Sequence, residues 1–535
     1  MNPKIFNFME KQINSLKNLE KVVGKSNGES SSYKPFFNSL ILKRDERGMV
    51  DIMQGKILAY NPVKDYSHYN GRLEIRMGDP EKGGNVEYGK FILPQDVDPV
   101  AWKSIVRKEA SHSFWEAAKD YEQRYSETLG GKVNSKKDEE YLYFSKEKPE
   151  QYIQKDFHLD YNLERIAEQL ETFSKKLRLP WVYDNGIEFS INKEEMYYMN
   201  SEGSKIFTTD YWVRLDVFAS APDENNYLVP VSKRFYSREL FDLGFLDNTT
   251  SEVTQVLKET IKAPVQKSGA FPTILDPINN GLHFHEVVGH SLEAHRMQDG
   301  EGEGESNVFK DLRGTKIAPS FIQLSDDPSI REFNGEFLNG HYLYDEDGVV
   351  GNKINLIQDG ILRNYLHSRQ SAGFFDVSSN GHCRSNSSQE PCSRMGNLII
   401  QSSNPVSNKK LKKMLMDECV KQNKPYGLYL EDFERGWSES EEGVYATYPS
   451  NLFRIYANGK VERVRGANVV GTPHQTLKNI IAMDNEMKVC NGFCGAESGQ
   501  ILSSEIAPNC LVSSLDFNKT SKYESIKIYE DIFKD

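Results

Sequence analysis

Histidine is concentrated in one short stretch of this 535-residue sequence. Four of the eleven histidines lie between residues 283 and 295, and His285 is followed directly by Glu286. A neutral imidazole is a favoured zinc ligand, and a glutamate beside the first ligand is where a hydrolytic zinc site needs a general base. The stretch is therefore a candidate metal centre that activates water.

The spacing of two of these histidines constrains the backbone. His285 and His290 are five residues apart, which separates them by about 140° around a regular α-helix. In the common His-Glu-x-x-His pattern the ligands are only four residues apart. A π-bulge, with i→i+5 hydrogen bonds, would return both side chains to one face, and Gly289 is well placed to permit the kink. We therefore predict a bent or bulged helix over about residues 280–297, and a regular helix would exclude a shared metal ion.

A site with two histidines lacks one of the three protein ligands that catalytic zinc usually has. Candidates for the third ligand are Cys490, Cys494, Cys510, Glu293 and His295. A thiolate suits zinc well. The alternative interpretation is that the histidines lie on the surface or in the core of an amphipathic helix, because His-Glu-x-x-x-His also arises by chance.

The rest of the sequence predicts the elements that would position this stretch. Apolar residues recur at helical spacing over residues 98–128, 160–177 and 407–422. Strand-like runs lie before the histidines, at residues 196–200 and 212–219. After the histidines, alternating runs are separated by turns that contain glycine, which is typical of an antiparallel, β-rich region.

The fold class that follows from these elements is α+β. Pro and Gly punctuate residues 262–276, just before the histidines, and we place a domain boundary there. We expect an N-terminal helix-plus-sheet domain over residues 1–265, of which residues 1–150 match no pattern that we can name. A β-rich, mainly antiparallel domain should follow over residues 266–535, with the metal-binding helix at the junction.

Composition argues against several kinds of partner. The formal net charge is −12 and no long Lys/Arg block is present, so we do not expect nucleic acid to bind. No apolar run of about 20 residues occurs and residues 1–19 lack a signal-peptide pattern, so we expect no membrane association. Six cysteines are too few for a disulfide scaffold and fit a reducing compartment, which predicts a cytoplasmic protein.

The stretch His285-Glu-Val-Val-Gly-His290-Ser-Leu-Glu293 closely resembles the metal-binding helix of the TldD/PmbA metallopeptidase family, in which His-Glu-x-x-x-His precedes a small residue, Leu and Glu. Other segments resemble the family in the same order along the chain. They are residues 345–348, 356–362, 393–397, 427–433, 465–467 and 494–500. An ordered series over about residues 265–510 is much harder to obtain by chance than one motif.

The resemblance implies the roles of individual residues. A zinc ion would be bound by His285, His290 and Cys494, with Glu286 as the general base and Glu293 orienting a ligand. It also implies hydrolysis of short or unfolded peptides by metal-activated water, in a homodimer or a heterodimer of related subunits.

Three alternatives stay open. One branch of the family lacks the metal motif and serves as a non-catalytic scaffold or partner subunit. The same chemistry would also serve a zinc amidase that acts on a modified small molecule. A structural zinc in a closed four-ligand site would have Glu293 or another thiol as its fourth ligand.

The sequence also departs from the family's usual pattern. His382 and Cys383 interrupt a Gly-Arg pair, and Cys392 precedes the segment 393–397. These three residues could form a second site, although ordinary packing is the expected role. An acidic, glycine-rich run at residues 299–305 could close over a substrate, although such runs are more often solvated loops.

Overall fold

The computed structural model of the chain describes residues 1–26, 29–62, 68–79, 83–129, 143–156, 160–297, 307–386, 389–439 and 443–519. The acidic run at 299–305 lies outside these ranges. Among the described residues, no helix is long and apolar enough to cross a lipid bilayer.

The first half of the chain is organised around one large sheet. The strands in this half of the chain are β1 (Lys21–Ser26), β2 (Glu29–Tyr33), β3 (Pro35–Met53), β4 (Lys56–Asn61), β5 (His68–Asp79), β6 (Gly83–Pro94), β7 (Gln151–Ile153), β8 (Asp184–Asn200), β9 (Lys205–Pro222) and β10 (Leu228–Ser237). Its helices are α1 (Pro3–Leu16), α2 (Pro99–Leu129), α3 (Leu163–Leu177) and α4 (Leu246–Thr260). Strands β1 and β2 pair with each other, and the others form an eight-stranded sheet of order β10-β9-β8-β3-β5-β6, with β4 beside β3 and β7 beside β9.

Two apolar cores form on this sheet. Helices α1 and α2 pack on it around Trp102, and α3 and α4 pack on it around Leu170. The predicted helices at 98–128 and 160–177 are confirmed as α2 and α3. Helix α3 begins three residues later than expected because Asn162 caps it, its side chain accepting a hydrogen bond from the backbone N–H of Arg165.

Strands β3 to β6, from the first 150 residues, lie in the same sheet as β7 to β10. Strand β3 pairs with β8 from Ser39–Asn200 to Met53–Gly186, an antiparallel register without a break. The segment that matched no sequence pattern therefore supplies strands to the middle and one edge of the sheet, because β3, β5 and β6 belong to it.

The second half of the chain is rich in strands. They are β11 (Gly269–Leu275), β12 (Ile322–Asp326), β13 (Glu332–Phe333), β14 (Glu336–Phe337), β15 (Ile354–Gln358), β16 (Ile361–Leu362), β17 (Cys383–Arg384), β18 (Cys392–Ser393), β19 (Asn397–Ser402), β20 (Tyr426–Glu439), β21 (Val444–Tyr456), β22 (Val461–Val464), β23 (Ala467–Gly471), β24 (Ile480–Met483), β25 (Lys488–Ala496), β26 (Gly499–Ala507) and β27 (Cys510–Lys519). Its helices are α5 (Pro277–Phe284), α6 (Arg369–Phe374), α7 (Asn408–Lys421) and α8 (Pro473–Asn479). Helix α7 confirms the helix predicted at 407–422, with Ser407 as its cap.

Two sheets hold these strands. A seven-stranded sheet has the order β11-β20-β21-β23-β27-β24, with β22 beside β21, and a further pairing of β27 with β11 closes five of its strands into a ring. A six-stranded sheet has the order β16-β15-β12-β19-β26-β25. Most pairs are antiparallel, while β11 with β20 and β19 with β26 run parallel. The predicted α+β class with a β-rich C-terminal region is confirmed.

Buried charges connect the two halves of the chain. The Glu346 carboxylate lies 2.6 Å from Nζ of Lys43 and 2.8 Å from Nη2 of Arg72, two residues of the first sheet. All three side chains are at most 7% exposed. Burial alone would raise the pKa of Glu346, but Lys43 and Arg72 lower it to about 2. The acidic turn at 345–348 therefore places a negatively charged side chain, Glu346, against the first sheet.

Removing that charge should destabilise the fold. Glu346→Gln removes the carboxylate that contacts both Lys43 and Arg72 and leaves Lys43 with the more distant Glu194, at 3.8 Å. We expect the free energy of unfolding at pH 7 to fall by about 3–5 kcal/mol. Because the folded pKa lies below the unfolded value of about 4.3, the stabilising charge is present above that value. The difference from wild type should therefore shrink as the pH falls from about 4.3 towards 2.

Denaturant unfolding followed by circular dichroism measures this difference. The matched control is Glu116→Gln, which removes an exposed partner of Lys119 on α2 and should change stability very little. Equal effects of the two variants would contradict the assignment of Glu346.

Candidate metal centre

The backbone that carries the histidines has the predicted π-helical turn. Helix α5 ends at Phe284, the segment His285–Gly289 is π-helical, and His290–Leu292 forms a 3-10 turn. The π-turn widens the helix by one residue, so positions five apart return to nearly the same face.

The helix is shorter than predicted. It ends at Leu292 rather than near residue 297, because Glu293 adopts an extended conformation with φ −72° and ψ 106°. The backbone N–H of Ala294 donates to the carbonyl of Leu366, whose own N–H donates to the carbonyl of Leu292. Pairing with this neighbouring segment thus replaces the next helical hydrogen bonds, and a separate 3-10 turn follows at Ala294–Met297.

Gly289 has a different role from the one expected. Its backbone is ordinarily helical, with φ −54° and ψ −57°, so the kink does not need a glycine there. A Cβ atom at this position would lie 2.2 Å from Sδ of the buried Met395. Glycine is required because the segment packs tightly against Met395.

Two imidazoles and one thiol converge at the π-turn. Nε2 of His285 lies 3.1 Å from Sγ of Cys494, and Nε2 of His290 lies 3.3 Å from the same sulfur. The two rings are nearly perpendicular, with centroids 4.9 Å apart. Cys494 is on β25, opposite Ile501 of β26. The structure therefore brings Cys494 to two histidines that precede it by about 200 positions in the chain.

These three donors fit a zinc ion. Zn–S and Zn–N distances near 2.3 and 2.0 Å in a tetrahedral site place nitrogen and sulfur about 3.5 Å apart, close to the two separations here. Among the described residues, the group of His285, His290 and Cys494 is one in which all candidate ligand atoms lie within 4.8 Å of one another. Three protein donors match the number in catalytic zinc sites.

Each imidazole is oriented by a carboxylate on its other nitrogen. Nδ1 of His290 lies 3.0 Å from Glu293, which is the orienting role predicted for that residue. Nδ1 of His285 lies 2.7 Å from Oε1 of Glu505 on β26. Because a carboxylate can only accept, each Nδ1 carries a proton, and Nε2, which faces the sulfur, is the nitrogen that a cation would bind in place of a proton.

Sequence reasoning missed Glu505. Its position on β26 is opposite Cys490, so it lies on the same side of the β25–β26 hairpin as Cys494. The available signal was a single carboxylate within the strand-forming segment 499–507. Helix α5 can approach this hairpin because of Gly281, where a Cβ would lie 2.8 Å from the Cβ of Glu505.

Arg394 connects the thiol to the carboxylates. Its Nη2 donates to the carbonyl of Cys494 at 2.8 Å, and its Nε lies 3.3 Å from Oε1 of Glu293. Its Nη1 donates to the Ser498 hydroxyl at 2.7 Å in the turn of the hairpin. This buried guanidinium therefore joins the strand that carries the thiol to the segment that carries the histidines.

The surrounding charges decide the protonation of the donors. Burial lowers the pKa of both imidazoles, but Cys494 and Glu505 raise the pKa of His285 well above its ordinary value. Cys494 and Glu293 likewise raise the pKa of His290 to about 9. Burial raises the pKa of Cys494, yet the two histidines and Arg394 lower it well below its ordinary value. The sulfur is therefore a thiolate, the form that binds zinc.

Glu286 lies beside the donors and is itself buried. Its Oε2 has no hydrogen-bond partner among the described residues. Gly436 on β20 approaches so closely that a Cβ there would lie 2.6 Å from Oε1 of Glu286. Burial raises the pKa of Glu286, and the imidazoles of His285 and His290 offset this only in part. A carboxylate with one free oxygen and a raised pKa is suited to accept a proton.

The other residues proposed as ligands lie elsewhere. Cys490 is buried on β25 opposite Glu505, and Cys510 is buried on β27. Both ring nitrogens of His382 make hydrogen-bonding contacts, Nε2 with Asp326 at 3.1 Å and Nδ1 with Asn380. Cys383 is buried as well. His382, Cys383 and Cys392 therefore form no common site, and Cys392 lies instead near His295.

A cavity of about 850 Å³ lies between the first sheet and the β25–β26 hairpin. It reaches the hairpin at Phe493, Gln500, Ile501 and Leu502, and Ile501 is the residue that pairs with Cys494. Its lining includes none of the three donors, so the convergence of ligands, and not this cavity, marks the candidate centre.

A known protein family matches the region of the chain that contains the candidate metal centre. Residues 268–519 match the PmbA/TldA metallopeptidase C-terminal domain. A metalloprotease from Methanothermobacter thermautotrophicus is 28% identical over 308 residues, which are 57% of this chain and 62% of the relative's own length. A zinc metalloprotease TldD homolog from Saccharolobus solfataricus is 22% identical over 357 residues, 66% of this chain and 74% of that relative.

A solved structure has the same fold over nearly the whole chain. TldE from Thermococcus kodakarensis superposes with a TM-score of 0.63, covering 95% of this chain and 99% of its own. The identity is 15%, so this likeness concerns the fold.

Weakening the contact between Glu505 and His285 should weaken metal binding. Glu505→Gln keeps an acceptor but loses the charge, and Glu505→Leu loses both, so we expect losses of zinc affinity of about tenfold and up to a hundredfold. Competition with a chromogenic chelator measures the affinity. Glu418→Gln, on α7, is the control and should bind zinc as wild type does. Unchanged affinity in Glu505→Leu would show that the carboxylate does not support the ligand.

Proposed function

We propose that this chain, which belongs to the TldD/PmbA family, is a zinc-dependent peptidase that uses His285, His290 and Cys494 as ligands and Glu286 as general base. The observation that carries the proposal is the convergence of two oriented imidazoles on one thiolate, with a buried carboxylate beside them. The printed name of the Saccharolobus solfataricus relative supports zinc as the metal.

A zinc ion held by these ligands would polarise a substrate carbonyl and make a water molecule more acidic. Glu286 accepts the proton from that water, because its Oε2 makes no other hydrogen bond among the described residues. The same carboxyl then gives the proton to the departing amine. Glu293 and Glu505 hold the two imidazoles in the orientation that keeps each Nε2 towards the thiolate.

Burial of the centre supports short or unfolded peptides as substrates. The three donor residues are between 3% and 6% exposed. A peptide bond inside a folded protein cannot approach atoms at this depth, whereas an extended or flexible chain can.

The alternative functions have less support. Glu293 is engaged by His290, Arg296 and Arg394, so it is not free to complete a closed structural zinc site. A scaffold role does not require a thiolate, two oriented imidazoles and a buried base in one place. A zinc amidase would use the same residues, and substrate trials separate the two enzymes.

Two substitutions test the mechanism. Glu286→Gln should keep zinc and lower the rate constant for hydrolysis of an unstructured peptide by about 10²–10⁴-fold, because proton transfer is lost. Cys494→Ser should lose the zinc ion of this centre, since a hydroxyl is a much poorer ligand than a thiolate. Metal analysis and a mass-spectrometric peptide assay give the two readouts.

Cys419→Ser, at a buried position of α7 away from the centre, is the control and should keep both zinc and activity. Full hydrolysis by Glu286→Gln would overturn the assignment of the base. Hydrolysis of acylated small amides without cleavage of any peptide would favour the amidase.

Family membership also supports a dimer, either of this chain with itself or with a related subunit. Light scattering on the purified protein should then give a mass of twice 61.2 kDa for a homodimer. A stable monomer that still cleaves peptides would contradict this part of the proposal, and a monomer that gains activity only with a related subunit would favour the heterodimer.

A further inference from the structure

A second group of potential ligands lies next to the candidate centre. Nitrogen of His295, sulfur of Cys392 and carboxylate oxygen of Glu497 all lie within 4.8 Å of one another. The three residues come from separate segments, namely the 3-10 turn Ala294–Met297, strand β18 and the turn between β25 and β26. None of them belongs to the proposed catalytic set.

We propose that His295, Cys392 and Glu497 form a second binding site for a zinc-like divalent cation, distinct from the catalytic one. One imidazole, one thiol and one carboxylate are the donor types that zinc accepts in proteins. Mg²⁺ and Ca²⁺ prefer oxygen ligands and would not select this set.

His295 is the observation that most requires an occupant. Neither of its ring nitrogens makes a hydrogen bond of normal geometry, although both atoms are buried. The Glu497 carboxylate lies 3.6 Å from Nε2, too far for a hydrogen bond but close to the separation of two ligands on one ion. A cation between them would be bound by a buried imidazole that contacts Cys392 and Glu497 without a hydrogen bond of normal geometry.

The other two donors are held in place by their neighbours. Arg296 donates to both oxygens of Glu497, at 2.6 and 2.7 Å, which fixes the carboxylate although more than half of its side chain is exposed. Each carboxylate oxygen has a second lone pair left for a cation. Cys392 is fixed by the pairing of β18 with β17, where it lies opposite Arg384.

The charges around this second site predict a weaker affinity for the cation. A thiolate and a carboxylate together balance the charge of a divalent cation, but Arg296 and Arg394 add positive charge nearby. Affinity should therefore be lower than at the catalytic centre, where two imidazoles and the thiolate are each supported by further contacts. Three protein ligands leave a position for water.

Arg296 connects the two sites. Its Nε donates to Oε2 of Glu293 at 3.0 Å, and the same carboxylate orients His290. Its two terminal nitrogens hold Glu497. A cation bound to Glu497 would thus fix Arg296, and through Glu293 it would fix the orientation of the catalytic His290.

Zinc stoichiometry of the full chain tests the proposal. Under saturating free zinc in equilibrium dialysis, we expect two ions per chain for wild type, one for Cys392→Ser and one for Cys494→Ser, and none for the double variant. The single remaining ion in Cys494→Ser should bind more weakly than the one in Cys392→Ser. Cys419→Ser is the control and should keep both ions.

Cobalt separates the two sites by a signal that does not depend on activity. Co²⁺ bound to a thiolate gives a charge-transfer absorption band, which should persist in Cys494→Ser and disappear when His295→Gln or Cys392→Ser is added. Circular dichroism of each variant shows whether it is folded. His295→Gln repeats the test without altering a cysteine, in case Cys392→Ser fails to fold.

One ion per chain in wild type, or an unchanged stoichiometry in folded Cys392→Ser and His295→Gln, would overturn the second site. In that case His295 and Cys392 are an imidazole and a thiol in contact that bind no metal. The proposed catalytic centre would be unaffected by this result, because its own failure would appear as a zinc stoichiometry in Cys494→Ser that is unchanged from wild type.

Discussion

The structure of the centre depends on one geometric constraint, which is that two histidines five residues apart must direct their Nε2 atoms at one sulfur. A regular helix cannot do this, and the π-turn His285–Gly289 does. The turn fits because Gly289 has no side chain where Met395 packs, and the helix stops where Glu293 turns to pair with the segment at Leu366. Burial, orientation and charge of the donors follow from this local shape.

Buried charge is the second theme of the molecule. At the centre, the thiolate of Cys494 is balanced by imidazoles and by Arg394, while Glu293 and Glu505 fix the imidazoles. Such groups would be costly to bury singly, and they are tolerable because each has a partner of opposite charge or a hydrogen bond. The arrangement orders the donors before any cation binds, which lowers the cost of forming the site.

The same principle joins the two halves of the chain and the two ligand groups. Glu346 forms ion pairs with Lys43 and Arg72 of the first sheet. The acidic turn that resembles the family's motif therefore has a structural role. Arg296 similarly joins Glu293 to Glu497. The orientation of His290, a proposed ligand, is therefore coupled to residues well outside its own segment of the chain.

The amino-acid sequence by itself determined the local features. Helical periodicity predicted α2, α3 and α7, and the five-residue spacing of His285 and His290 predicted the π-turn, on the condition that both histidines bind one ion. These follow from interactions within about one or two turns of the chain. Only the tertiary structure decided the contact of Cys494 with the histidines, the support from Glu505 and Arg394, and the meeting of Cys392 with His295. Those pairs lie far apart in sequence, and strand register and helix packing, which no local pattern encodes, bring them together.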